Sequence, residues 1–294
     1  MSDDRDHLHR FLFDGSNVRG ELVHLDEAWQ AMLARQDYPP AVCRLLGEAA
    51  AATVLLAATV KFDGSLILQA HGDGAVKLLV VECSGQRSLR GLARWRGVVD
   101  RLGFRELVGQ GRLVMTIDPG AGAQRYQGIV AIEGESLAES LQAYFRRSEQ
   151  LPTRLWLGAD AERAAGMLVQ QLPGLAAAQD EDLWNRVTLL AETVTEPELL
   201  RLEARQLLHR LFHEEPVRVF SPQPWRFECR CSRERVAAML RGLGRGELED
   251  ILEQEGLVAV DCEYCNAGYR FDPVDVEHLL SEALSLDTPS HTRH

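Results

Sequence analysis

Four cysteines near the end of the chain constrain it more than any other feature: Cys229 and Cys231 in ECRCS, and Cys262 and Cys265 in DCEYCNAGY. One pair is C-x-C and the other C-x-x-C, with 30 residues between them. The first pair sits in a strand-like run, WRFECRC, where period-two alternation places both thiols on one face. Asn266 and Gly268 follow the second pair and tolerate the left-handed turns of a knuckle whose N–H groups point at sulfur. Between the pairs Ser232 caps a helix to about Leu243, GLGRG turns the chain, and Glu247 to Gln254 forms a second helix ended by Gly256. Such a hairpin brings the pairs together, so that four sulfurs stand at tetrahedral corners about 2.3 Å from a zinc ion.

A closed four-thiolate site keeps no open position for substrate, which predicts a structural rather than a hydrolytic metal. Size points the same way, because a module of under about 70 residues rarely holds together without a metal or disulfide staple. The metal-binding free energy, on the order of 10–16 kcal/mol in small zinc modules, then becomes folding free energy. Spacing alone leaves open an architectural knuckle, a redox-sensing site and a bare dithiol.

The rest of the chain sets this module in context. Its 294 residues predict about two domains with at least one full core. Lys+Arg number 32 against Asp+Glu 44, for a net charge of −12, and Lys61 and Lys77 are the only lysines. There are 19 basic and 21 acidic residues before residue 178, against 13 and 23 after it, so the C-terminal part is the acidic one. That balance speaks against a nucleic-acid or anionic-membrane partner. The start, MSDDRDHLHR, lacks the basic-then-apolar order of a secretory signal, so export is not expected. The apolar stretch Ala49 to Val60 is too short to span about 30 Å of hydrocarbon and reads as a buried core helix. Six cysteines in a chain read as non-secreted point to metal or redox chemistry.

The fold class predicted is α+β: an N-terminal mixed-sheet domain packed with helices over 1–178, a helical linker over 179–224, and a small zinc-binding module over 225–294. Strands are predicted at Asn17 to Leu25, Ser65 to Ala70, Ala75 to Glu82, Arg112 to Ile117, Tyr126 to Ile132 and in TRLWLG. Helices are predicted at Asp26 to Gln36, Ala41 to Lys61, Ser136 to Ser148 and Asp160 to Gln171. From Ala176 to about Pro224 a charged segment carries Leu199, Leu202, Leu207, Leu208 and Leu211 at helical spacing, which gives it one apolar face to pack. In the module LVAVDC and YRF read as strands, and Asp272 with Pro273 starts a last helix.

No other constellation carries chemistry. Cys43 and Cys83 read as buried small hydrophobes. The histidines form no H-x-x-x-H or H-x-E pairing with cysteine, no G-x-x-x-x-G-K-S/T follows a strand, and spacing nominates neither a Ser-His-Asp set nor a carboxylate pair.

The cysteine signature, the aromatic run Tyr269 to Phe271, and RGELVHL, YPPAVCRLLGE, TVKFDGSLILQAHGDGAVKLLVVEC and RGLAR together resemble the redox-regulated heat-shock chaperones known as the 33 kDa chaperonins, over nearly the whole chain. The resemblance implies a cytoplasmic holdase, not an enzyme, that needs no ATP. It further implies that Cys229, Cys231, Cys262 and Cys265 hold one zinc ion when reduced. On oxidation zinc would leave, Cys229 would bridge Cys231 and Cys262 would bridge Cys265. The module and linker would then unfold and capture unfolding clients, with a homodimer when activated and ATP-dependent foldase chaperones downstream. A thiol oxidoreductase and an architectural zinc-ribbon binding protein remain as alternatives. The first wants C-x-x-C at a helix N-terminus, and the second a basic face.

Overall fold

A computed structural model describes residues 5–60, 62–120, 124–173, 180 and 182–286, the last five without side chains. The chain divides into two compact units, Met1–Glu228 and Cys229–His294.

The first unit opens with the hairpin β1 (His7–Phe13) and β2 (Val18–Leu25), followed by α1 (Glu27–Leu33) and α2 (Pro40–Thr59). Strands β3 (Ser65–Gly72), β4 (Val76–Ser84) and β5 (Ser88–Trp95), the short α3 (Phe104–Val108), then β6 (Gly111–Asp118) and β7 (Tyr126–Ala131) come next. Helix α4 (Leu137–Tyr144) runs into a π-turn at 145–149 and leads to β8 (Thr153–Ala159) and β9 (Ala164–Gln171). Three helices, α5 (Leu183–Ala191), α6 (Glu196–Arg201) and α7 (Ala204–Phe212), precede the short strands β10 (Val217–Val219), β11 (Gln223–Pro224) and β12 (Arg226–Phe227).

Two sheets result, in the orders β10-β1-β2-β9-β8, with β11 also on β1, and β12-β5-β4-β3-β6-β7. All pairings are antiparallel except β12 with β5. The α+β expectation holds. Between the sheets lies α2, its alanines and leucines from Leu45 to Leu56 buried in one core with residues of both sheets. Small residues allow the close approach: a Cβ at Gly47 would stand 2.4 Å from the Ala159 Cβ, and one at Gly166 would stand 2.9 Å from Leu55. Helix α2 is long and apolar enough to cross a membrane, yet 78% of its apolar window is buried in the protein, as the core-helix expectation requires.

The far face of the first sheet has its own cover. Phe11 and Phe13 of β1, Val18 and Leu22 of β2, and Met167 and Val169 of β9 pack against Val187, Leu199, Leu207, Leu208, Leu211 and Phe212 of α5 to α7. Alternation on β2 explains how one strand serves both cores, since Leu22 faces the helices and Val23 faces α2. The segment read as a linker is thus, within this unit, the lid of a sheet. The capping box of Thr195 and Glu198 starts α6, and the apolar stripe of α7 faces the sheet.

The structure corrects one helix. Asp160 to Gln171 is not helical: after a turn, Ala164–Gln171 forms β9, hydrogen-bonded to β2 on one side and β8 on the other. Residues 164–170 are all buried because the strand is covered on both faces, and a run that is apolar from Ala164 to Val169 loses the alternation that marks a strand. Strands β1 and β5 were not foreseen.

The second unit folds as α8 (Arg233–Arg241), α9 (Arg245–Glu255), β13 (Val258–Asp261), β14 (Gly268–Phe271) and α10 (Pro273–Leu286). Among the described residues nine buried side chains form its core, including Leu240, Leu248, Val258, Phe271 and Val276.

Candidate metal centre

Local sequence places the four thiols. Cys229 and Cys231 lie in irregular chain, so the strand expected through ECRC is replaced by β12, which ends at Phe227. The next residue, Ser232, caps α8 by accepting from the Arg235 amide at 3.3 Å. Arg235 also donates to the Arg230 carbonyl at 2.7 Å, fixing the chain between the first pair and the helix. Gly244 and Gly256 take φ of +90° and +74° at the two ends of α9.

Cys262 and Cys265 occupy the turn that joins β13 to β14. The Asn266 and Cys265 amides donate to the Cys262 carbonyl at 2.7 and 3.3 Å, while the Cys262 amide donates to Ala267 at 3.0 Å. Asn266 has φ +55°, the left-handed residue anticipated there. Pairing of Val258 with Phe271 through Asp261 with Gly268 closes the hairpin below the turn.

The four sulfurs lie within 4.8 Å of one another, and among the described residues this is the one group of three or more His, Cys, Asp or Glu side chains so gathered. Cys229 Sγ is 3.6 Å from Cys262 Sγ, and Cys231 Sγ is 3.3 Å from Cys265 Sγ. A tetrahedron with arms of about 2.3 Å has edges of about 3.8 Å, so the cluster could hold a thiophilic metal ion with little movement. Cys43 and Cys83 are elsewhere and buried, the Cys43 thiol 3.9 Å from the Asp160 carbonyl. Burial pushes both thiols up, away from the thiolate that a ligand needs.

Electrostatics within the cluster are unequal. Burial works to raise Cys231, but the Tyr269 hydroxyl and the neighbouring thiols outweigh it and pull the group down to about 7. Tyr269 donates to the Cys231 sulfur at 3.1 Å. Burial, then hydrogen bonding with Cys231, pushes Cys265 up to about 12, and burial raises Cys229 as well. Negative charge is therefore concentrated on one sulfur unless a cation enters to hold more. Tyr269 was legible in the sequence as an aromatic after the second pair, but its bond to Cys231 was not.

The sequence profile of the family described as Hsp33 protein matches residues 6–272. The 33 kDa chaperonin of Nitrosococcus oceani is 51% identical over 290 residues, covering 99% of both chains. That of Pseudomonas aeruginosa is 50% identical over 295 residues, covering 98% of this chain and 99% of its own. The crystal structure of the 33 kDa chaperonin (heat shock protein 33 homologue) of Thermotoga maritima has the same fold, with a TM-score of 0.83 at 23% identity over 95% of this chain and 99% of that one.

Proposed function

Because the chain is a chaperone of the Hsp33 family, we propose that it is an ATP-independent holdase switched by oxidation of a zinc centre formed by Cys229, Cys231, Cys262 and Cys265. The observation that carries this reading is the set of four sulfurs within 4.8 Å, in a unit whose own core has nine buried side chains. Zinc there closes the fold, so losing it unfolds the unit.

The chemistry balances with a peroxide as oxidant. Each cysteine pair gives up two electrons and two protons to one peroxide, which becomes two waters, and an S–S bond forms. Two such steps, Cys229 with Cys231 and Cys262 with Cys265, leave no thiolate to hold zinc. The turn joining β13 to β14 suits the second bridge, since the Cys265 amide already bonds to the Cys262 carbonyl.

The apolar surface for clients is the far face of the first sheet together with the inner faces of α5 to α7, which exposes Phe11, Phe13 and Phe212 once the helices lift. Between α7 and Cys229 the chain is held to the first unit by β10 and β11 on β1 and by β12 on β5, so these three short strands must give way together with the cysteine unit before the helices lift. Bound clients would pass to ATP-dependent foldase chaperones. The activated form would be a homodimer, and the compartment the cytoplasm. An oxidoreductase reading is disfavoured, because Cys262 and Cys265 sit between two strands rather than at a helix N-terminus.

The test measures zinc and client protection together. Reduced protein is expected to carry one zinc per chain and to leave a heat-denatured client to aggregate; peroxide should release the zinc and confer suppression without ATP. Equal suppression by both forms would overturn the switch.

A further inference from the structure

The C-terminal end of α2 borders a cavity of about 500 Å³, within the roughly 300–1,000 Å³ usual for small-ligand sites. Both sheets and the chain leading to β12 contribute to it: Arg10 of β1, Arg19 of β2, Ser84 and Arg87 at the β4–β5 turn, and Gln223 and Trp225. Three arginines and no carboxylate line it, in a chain with 44 acidic residues against 32 basic ones.

Backbone geometry gathers the arginines. Arg10 stands opposite Glu21 across β1 and β2, which sets Arg19 diagonally from Arg10. On β2, Arg19 and Glu21 share the parity of Val23, the face turned to α2. Arg87 takes φ +60° in the β4–β5 turn. Its carbonyl accepts from the Arg226 amide at 3.2 Å, and the Arg226 guanidinium donates to the Gln86 carbonyl at 3.3 Å, so the turn is pinned to the start of β12.

The donors of this cluster are not used up. Arg10 donates to the Ala58 carbonyl at 3.0 Å and Arg19 to the Gln170 side chain at 2.8 Å. Arg19 Nε is nevertheless buried without an acceptor, and so is Trp225 Nε1. Among the described residues the Arg87 guanidinium has neither an ion pair nor a hydrogen bond. Glu21 shares an adjoining cavity with Arg10 and Arg19, and burial holds its carboxyl up at about 7, so it neutralises them only in part.

We propose that this cavity binds a small phosphoryl anion, of the size of pyrophosphate or a short phosphate ester. A phosphoryl group spreads three oxygens over a hemisphere and accepts from guanidiniums on separate elements, whereas a planar carboxylate suits one fork. The net charge of −12 repels long polyanions, so the fit is to a short one. Gln223 and Trp225 lie between α7 and Cys229, and a bound anion ties that segment to β1, β2 and the β4–β5 turn. The site requires neither zinc nor oxidation, so its test leaves the redox reading untouched whichever way it falls.

Isothermal titration calorimetry of the reduced, zinc-loaded full chain with sodium pyrophosphate, in about 0.15 M salt, should show one saturable site per chain. Arg87→Asn should weaken it at least about tenfold, and asparagine tolerates the left-handed turn that holds this position. Arg19→Gln should weaken it likewise, while Arg205→Gln, on α7, should bind as the wild type does. Zinc capture by the probe would give the same heat in every variant, so the dependence on Arg87 and Arg19 separates the two processes. Malonate, a dicarboxylate of similar span, should bind at least about tenfold more weakly than pyrophosphate. Unaltered protein supplies a check without substitution: saturating pyrophosphate should slow amide exchange at Trp225 and Arg226, whose N–H groups donate to the Asp6 and Arg87 carbonyls. Absence of a saturable site, a site unchanged by both Arg87→Asn and Arg19→Gln, malonate binding as tightly as pyrophosphate, or unchanged exchange at Trp225 and Arg226 would each overturn the proposal.

Discussion

Cys229 and Cys262 stand 33 residues apart in the chain and bring their sulfurs to 3.6 Å. Everything between them, α8, α9 and β13, is a loop closed at this point, and a core of nine buried side chains is small for holding such a loop shut. Replacing any one of Cys229, Cys231, Cys262 or Cys265 by Ser should therefore lower zinc retention against a chromogenic chelator and loosen the unit. Cys43→Ala and Cys83→Ala should retain zinc at the wild-type level. Full retention by Cys262→Ser would remove the four-cysteine assignment.

The two bridges should not form together. The turn holding Cys262 and Cys265 already folds its ends toward each other through the Cys265 amide and Cys262 carbonyl. Two residues of extended chain can span roughly 6.6–7.2 Å between Cα atoms, at or beyond the usual disulfide range of about 4.4–6.8 Å, so a C-x-C bridge needs the chain to bend. Thiol trapping with peptide mapping during peroxide treatment should find the Cys262–Cys265 bridge first. A Cys229–Cys231 bridge appearing first would reverse the order.

The Phe212 ring meets the Phe13 ring edge-on at 5.2 Å and anchors α7 to the first sheet. Phe212→Ala should cost about 3–5 kcal/mol of local stability. If docking of these helices hides the client surface, the reduced, zinc-loaded variant should suppress client aggregation with no oxidant present. Unchanged inactivity, with α7 amides shown by hydrogen exchange to be unprotected, would place the client surface elsewhere.

Burial holds the Glu21 carboxyl at about 7, against an ordinary value near 4.5, with Arg19 and Arg10 pulling the other way. Its Oε2 is buried without a hydrogen-bond partner. The protonated form is the one the fold favours, so its contribution is full below about 4.5 and is lost as pH rises through about 7. The stability of Glu21→Gln relative to wild type should accordingly grow by about 2–3 kcal/mol between pH 5 and pH 8, read from urea melts at both values. A pH-independent difference would mean that Glu21 is already ionised in the fold.

How much was legible depended on whether the signal was local. The four ligand candidates, the Ser232 cap, the Gly256 stop and the left-handed Asn266 all follow from side-chain chemistry at one position, and the structure has each where the residues place it. Strand β9 was misread because its neighbours on both faces come from α2 and from α5 to α7, and no window of sequence contains them. The Tyr269–Cys231 bond spans 38 residues and depends on how β14 meets the start of α8, which spacing does not encode. The leucine periodicity of the segment read as a linker is local and visible in the sequence, but the aromatic surface it covers lies on β1, near the other end of the chain.

The pairing of β2 with β9, from Val18 with Gln171 to Leu25 with Ala164, also sets a timetable for synthesis. A ribosome moving at roughly 5–20 residues per second needs about 7–30 s to travel from the end of β2 to the start of β9. Throughout that interval the growing chain carries the β2 edge, joined by α2 once residue 59 is made, with their eventual neighbour still unmade. A nascent copy of this protein is thus one of the unfinished surfaces that holdases exist to cover, and a message cut before codon 164 yields an open-edged fragment rather than a smaller domain.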